Sequence, residues 1–162
     1  MSSFDAFRFD GKRALVVGGA SGMGAAAAEL LLDAGAVTLP GVQPVHVDLA
    51  ERGSVDAALE EAGGPFDALL CCAGVADGTP GIERINFVAH RYLVDRLLDR
   101  DALPRGSAIG MISSAAGLGW EANLDQLTEL LETTDWDAAV DWFRRHGKAD
   151  YMSTKQAMCA YV

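Results

Sequence analysis

The sequence predicts an α/β protein: a doubly wound parallel sheet, with a helical hairpin inserted before its last helix. Three observations predict it. Short apolar runs alternate with longer amphipathic stretches, the order that builds strand–helix–strand units with helices on both faces of a sheet. The first apolar run leads directly into a glycine-rich turn and an Ala/Leu-rich stretch. Late in the chain, two helix patterns follow one another with no strand run between them.

The elements follow in order. RALVVGG (13–19) reads as a buried strand, and GMGAAAAELLLDAG (22–35) as a helix stopped by Gly35. PVHVDL (44–49) reads as a second strand and SVDAALEEAG (54–63) as a short helix with Ser54 at its N-cap. FDALLCCAG (66–74) is a third strand. GIERINFVAHRYLVDRLLDRDAL (81–103) is a long helix with Ile82, Ile85, Val88, Ala89, Tyr92, Leu93 and Leu97 along one face. SAIGMISS (107–114) is a fourth strand. The insertion, about 118–147, holds one helix with Leu124, Leu127 and Leu131 on a face and another with Trp136, Val140 and Phe143 on a face. The residues at 133–135 supply an N-cap, and Gly147 ends the pair. One place breaks the rhythm. A full strand is expected right after Gly35, but only Ala36-Val37-Thr38 precedes the turn-forming Leu39-Pro40-Gly41. The spacing there reads as a chain from which residues are missing, with a genuinely shortened strand as the alternative.

Length and composition bound the function. At 162 residues the chain is one domain with room for a sizeable core. Its net charge of −10 repels phosphate backbones, so nucleic acid is not an expected partner. Neither a signal peptide at the N-terminus nor a run of membrane-spanning length is present, and the chain reads as a cytoplasmic protein. Cys71 and Cys72 read as buried strand thiols. No metal-ligand spacing is found, and His46, His90 and His146 read as structural or solvated.

Several motifs can carry chemistry. Gly18-x-x-x-Gly22-x-Gly24 follows a strand and opens a helix. That context suits a diphosphate, because the backbone can approach it and the helix N-terminus favours its charge. Asp48 closes its strand at the carboxyl edge, where a carboxylate can accept from an adenine amino group or stabilise the next helix start. Ser113 and Ser114 end a strand at the same edge and can either polarise a substrate oxygen or cap a turn. Asn86 lies beside Ile85 on the apolar side of its helix, bonded locally or facing the site from behind. Tyr151 and Lys155 are four residues apart, on one helix face. A phenol titrates near 10, and a neighbouring ammonium favours its ionised form, which suits it to proton transfer.

Taken in order, GGASGMG, CAG (72–74), ISS (112–114) and YMSTK resemble the short-chain dehydrogenase/reductase family. The likeness covers nearly the whole chain outside the hairpin. It implies a Rossmann-like fold and a nicotinamide cofactor. Gly18, Ala20, Ser21, Gly22, Met23 and Gly24 would then line the diphosphate turn, and Asp48 and Leu49 would meet adenine. Cys72, Ala73 and Gly74 would line the cofactor beyond. Asn86 would hold a proton-relay water, Ser114 would polarise the substrate, Tyr151 would move the proton, and Lys155 would bind the nicotinamide ribose. The family pattern implies NAD, since neither Ala20 nor Ser21 is basic, with NADP as the other form. It also implies a small-molecule alcohol or carbonyl substrate and a homodimer or homotetramer.

There are departures from the pattern. Val17 replaces the usual threonine, and CCAG replaces the usual Asn-Asn-Ala-Gly. Ser114 and Tyr151 are 37 positions apart, wider than usual. The insertion with the CAG form is similar to the 3α-hydroxysteroid dehydrogenase/carbonyl reductase branch, which implies bulky apolar carbonyl substrates. The family also continues with further strands beyond the helix in which this chain stops. Two rival readings share these motifs: a sugar-nucleotide epimerase or dehydratase, and a non-catalytic nucleotide-binding protein. The three-residue gap between the first two glycines disfavours the epimerase. For the aromatic residues of the hairpin, the readings are a subunit interface, a substrate cover, or packing onto their own domain.

Overall fold

The computed structural model describes residues 8–36, 43–133 and 135–162. Three parallel strands, β1 (Ala14–Val17), β2 (Ala68–Cys71) and β3 (Ala108–Met111), pair in the order β1-β2-β3. The register sets Ala14 beside Ala68 and Ala68 beside Ala108. Helices α1 (Gly22–Asp33) and α2 (Arg52–Ala62) lie between β1 and β2, and α3 (Ala89–Asp99) lies between β2 and β3. The hairpin α4 (Leu124–Leu131) and α5 (Trp136–Arg145) precedes α6 (Tyr151–Tyr161). The predicted α/β class and inserted hairpin are both present.

Local chemistry explains the boundaries. At the end of α1, Gly35 adopts φ +93, the Gly35 N–H donates to the Leu32 carbonyl and the Ala36 N–H to Leu31. These two bonds satisfy carbonyls that a helix end otherwise leaves bare. Asp135 caps α5 by accepting from the Ala138 N–H at 2.9 Å. Asp135→Ala is expected to cost about 1 kcal/mol of stability, read as a lower urea midpoint with an unchanged slope.

Four expectations need correction. Residues 43–48 run without strand pairing. A strand needs a hydrogen-bonded neighbour, and here a cavity of about 480 Å³ separates Val45 and Val47 from β1. The short strand expected after Gly35 falls at 37–42, outside the described residues. Ser54 is not the cap of α2: the helix starts at Arg52 with Glu51 as N-cap, and Ser54 Oγ instead accepts from the Asp48 N–H at 2.8 Å. The long helix 81–103 is a π-helical turn (Arg84–Val88) continued by α3, and it stops at Asp99. Asp101 then turns at φ +53, and buried Ala102 and Leu103 lead back toward the sheet. In α4, which follows directly on a 3-10 turn (Trp120–Asn123), the first residue Leu124 is exposed while Leu127 and Leu130 are buried, so the buried face runs through Leu130 and not Leu124.

The core joins β2, α3, the hairpin and α6. Leu69, Phe87, Leu130 and Phe143 are fully enclosed. Phe87 meets Phe143 and Tyr161 edge-on, each at 6.0 Å between ring centres. Trp136 packs edge-on against Tyr92 at 5.6 Å. Trp136, Trp142 and Phe143 are all buried in the chain itself, so of the three readings for the hairpin aromatics, packing onto their own domain is the one realised. Arg91 of α3 reaches across to the Leu130 carbonyl at 3.0 Å and the Thr133 hydroxyl at 2.9 Å, tying the end of α4 to the domain. No helix among the described residues is long and apolar enough to cross a membrane.

Candidate active site

The carboxyl ends of the three strands and the start of α6 gather the predicted motifs. β1 runs into Gly18, at φ +85, where a side chain would meet the Ala73 backbone nitrogen at 2.7 Å. A Cβ on Gly24, in the first turn of α1, would lie 2.2 Å from the Gly18 carbonyl oxygen. The turn therefore folds tightly onto itself and onto the end of β2, which only bare backbone allows. Ser21 caps α1 in extended conformation without a side-chain bond, and the first turn carries no acid. Ala20, Ser21, Gly22 and Met23 are exposed around it. Free N–H groups at the start of a twelve-residue helix, beside a cradle that a Cβ would fill, fit a diphosphate.

Across the cleft, α6 begins at Asp150, whose carboxylate accepts from the Ser153 N–H at 2.8 Å. Lys155 is buried, yet its Nζ lies over the Tyr151 ring, 5.6 Å from the centre, and donates to the Ile112 carbonyl at 2.7 Å. Burial pushes its ammonium below the ordinary lysine value, with Tyr151 and Cys159 pulling the other way. A Cβ on Gly74 would sit 3.4 Å from Asn86 Oδ1 and 3.8 Å from Lys155 Nζ. Gly74, Asn86 and Lys155 thus share one spot. Asn86 is fully buried; its Oδ1 accepts from the Val75 N–H at 2.8 Å and its Nδ2 donates to the Val75 carbonyl at 3.0 Å. Both halves of its amide are spent on the loop after β2.

The two serines divide their roles. Ser113 Oγ donates to the Lys155 carbonyl at 3.1 Å and touches Cys159 Sγ at 3.1 Å, so it belongs to the packing of α6. Ser114 Oγ accepts from the Ala116 N–H at 3.2 Å, which leaves its own proton to donate. Asp48 and Leu49 are not drawn into this group by any bond. Asp48 is exposed and its Oδ1 holds the Ala50 N–H at 2.9 Å, while the Leu49 side chain joins the core. Cys71 is buried and its thiol is pushed up to about 12 by that burial. Cys72, expected to be buried with it, is only half-buried, because it lies past the end of β2.

Sequence reading missed Asp77. Its carboxylate accepts from the Tyr151 N–H at 2.9 Å, fastening the loop after β2 to the first residue of α6. The Asp-Gly pair at 77–78 signalled a turn but not its distant partner. Asp77→Ala is expected to lower kcat/KM severalfold while Asp77→Asn, which keeps an acceptor, stays near the original; steady-state kinetics of both variants check it. Among the described residues, no group of three or more His, Cys, Asp or Glu could hold a metal ion.

A glycine turn after β1, a capped Tyr–Lys helix and a serine at the end of β3 define a Rossmann-like dehydrogenase fold. The comparisons agree. The chain is 28% identical over 166 residues to a coniferyl-alcohol dehydrogenase of Pseudomonas sp. (strain HR199 / DSM 7063), a match over 93% of the chain and 64% of that relative. It is 35% identical over 136 residues to a D-erythrulose reductase of Gallus gallus, covering 67% of the chain and 54% of that relative. Among solved structures, the 3-alpha-hydroxysteroid dehydrogenase of Pseudomonas sp. B-0831 complexed with NADH superposes with a TM-score of 0.67 at 26% identity, over 91% of this chain and 63% of that one. No family model matches. The resemblance to the short-chain dehydrogenases/reductases is borne out by these relatives, of whose length the chain spans between about half and two thirds.

Proposed function

We propose that the protein interconverts an alcohol and a ketone or aldehyde, with NAD(H) as its redox partner. The observation that carries this reading is the placement of Tyr151 and Lys155 on one face of α6, with Lys155 Nζ beside Gly74 and Asn86 at the carboxyl edge of the sheet. When bound, the dinucleotide would take up or supply the hydride. The residues of the chain do the rest. Gly18, Gly22 and Gly24 admit the diphosphate against the start of α1. Lys155 spends one N–H on Ile112 and has two left for ribose hydroxyls. In the oxidative direction the Tyr151 oxygen takes the proton of the substrate hydroxyl, and in the reductive direction it returns it. Ser114 donates to the same substrate oxygen as charge develops on it. Asn86 shapes the loop beside Lys155, from which a relay water would be held.

The other two readings belong here as well. NAD is favoured over NADP by the absence of a basic residue at Ala20 or Ser21, and the dehydrogenase that superposes on the chain is complexed with NADH. An apolar alcohol or carbonyl, hydroxysteroids included, is supported by two exposed apolar side chains close in sequence to Ser114 and Tyr151. Leu118 is 75% exposed four residues past Ser114, and Met152 is 58% exposed directly after Tyr151. The test follows absorbance of the reduced dinucleotide with NAD and NADP against small alcohols, aryl alcohols and 3-hydroxysteroids. NAD-dependent turnover of at least one alcohol is the expected result. Dinucleotide binding without turnover across the panel would favour a non-catalytic binding protein.

A further inference from the structure

His90 is fully buried on α3, one turn beyond Asn86, and the reaction outlined above makes no use of it. Its Nε2 lies 3.0 Å from the Ala73 carbonyl oxygen. A carbonyl can only accept, so Nε2 carries the hydrogen and Nδ1 presents a bare lone pair. Nδ1 has no hydrogen-bond partner among the described residues. Burying such a group costs free energy, and a plain apolar side chain would fill the same space without that cost. The single bond it does make goes to a consequential place. The Ala73 backbone is what Gly18 rests against, and the next residue, Gly74, faces Lys155 Nζ and Asn86. One short segment thus touches the glycine turn on one side and the Tyr–Lys helix on the other. Asn86 fixes its far end through Val75, and His90 fixes its near end through Ala73.

We propose that His90 is a positioning residue for the dinucleotide: by donating from Nε2 to the Ala73 carbonyl, it holds residues 72–74 where the glycine turn and Lys155 both lean on them. This rests on the dehydrogenase reading above. The expected gain is in cofactor affinity, because the segment arrives already shaped for the ligand and pays no ordering cost on binding.

Three forms of the full chain test it: unaltered, His90→Phe and His90→Gln. NADH binding is measured by calorimetry, and thermal melting is followed without ligand. His90→Phe keeps bulk but has no donor, and is expected to weaken NADH about tenfold, the worth of one lost hydrogen bond. His90→Gln can donate from its amide and is expected to recover most of that loss. Nitrogen NMR of the ligand-free, unaltered chain is expected to show the Nε2–H tautomer. Equal NADH affinity in all three forms would overturn the proposal, as would an Nδ1–H tautomer. Equal weakening in both variants would also overturn it, by reducing His90 to a packing residue. Failure of the unaltered chain to bind either dinucleotide would overturn the dehydrogenase reading and this proposal together, a result distinct from the others. If His90→Phe does not fold, the glutamine variant and the tautomer still decide.

Discussion

Tyr151→Phe is expected to abolish turnover and to leave NADH affinity close to that of the unaltered chain. The substitution removes one oxygen and keeps the ring over which Lys155 Nζ sits. The cap at Asp150, the Asp77 bond to the backbone of residue 151 and the Lys155 bond to Ile112 do not involve the phenol oxygen. What disappears is the oxygen proposed to exchange a proton with the substrate, and a positioned acid or base is worth about 10²–10⁴ in rate. Measured kcat in both directions, alongside calorimetric NADH affinity, checks it. Retained turnover rejects the role given to Tyr151, and lost NADH binding with lost turnover shows damage to the fold instead.

Acid is expected to destabilise this protein earlier than its exposed carboxylates account for, with His90 as the cause. Burial pushes its imidazole down to about 4, with the Lys155 ammonium acting in the same direction and the Ala73 bond opposing both. Above pH 6.5 the imidazole is neutral whether the chain is folded or not, so it adds no pH dependence there. Below that value the unfolded chain takes up a proton that the folded chain refuses, and stability falls as the pH drops. The fall ends near pH 4, once the folded imidazole is protonated too. The shift is worth up to about 3 kcal/mol across that window. Urea unfolding at pH 7 and pH 4.5 measures it, with His90→Gln as the reference. The variant, having no group to titrate, is expected to lose distinctly less stability between the two values; parallel losses would remove His90 as the cause.

The motifs were legible because each needs its residue type for a local reason. Gly18 and Gly24 cannot be anything larger where the backbone crosses itself, and Tyr151 and Lys155 share a face through helix geometry alone. The strands were legible from apolar runs, and the hairpin from the spacing of Leu127, Trp136, Val140 and Phe143. What escaped depended on partners distant in sequence. Residues 44–48 have the apolar alternation of a strand, but pairing is decided by the neighbour, and β1 does not reach them. Asp77 carries no local mark of its bond to residue 151, 74 positions away. His90 looked like any polar residue on a helix until the fold set it under Ala73. Ser113 and Ser114 were separable only by resemblance, since local sequence does not say which hydroxyl meets the Lys155 carbonyl and which keeps a proton to donate.

The π-helical turn at Arg84–Val88 carries a consequence for insertions and deletions. Such a turn accommodates one residue more than an α-helix would. Losing Phe87 or Val88 from it would restore regular winding and cut the step from Asn86 to His90 from four residues to three. Asn86 and His90 would then no longer aim at the same stretch of chain. A helix segment of this kind is as sensitive to length as most surface loops are indifferent to it.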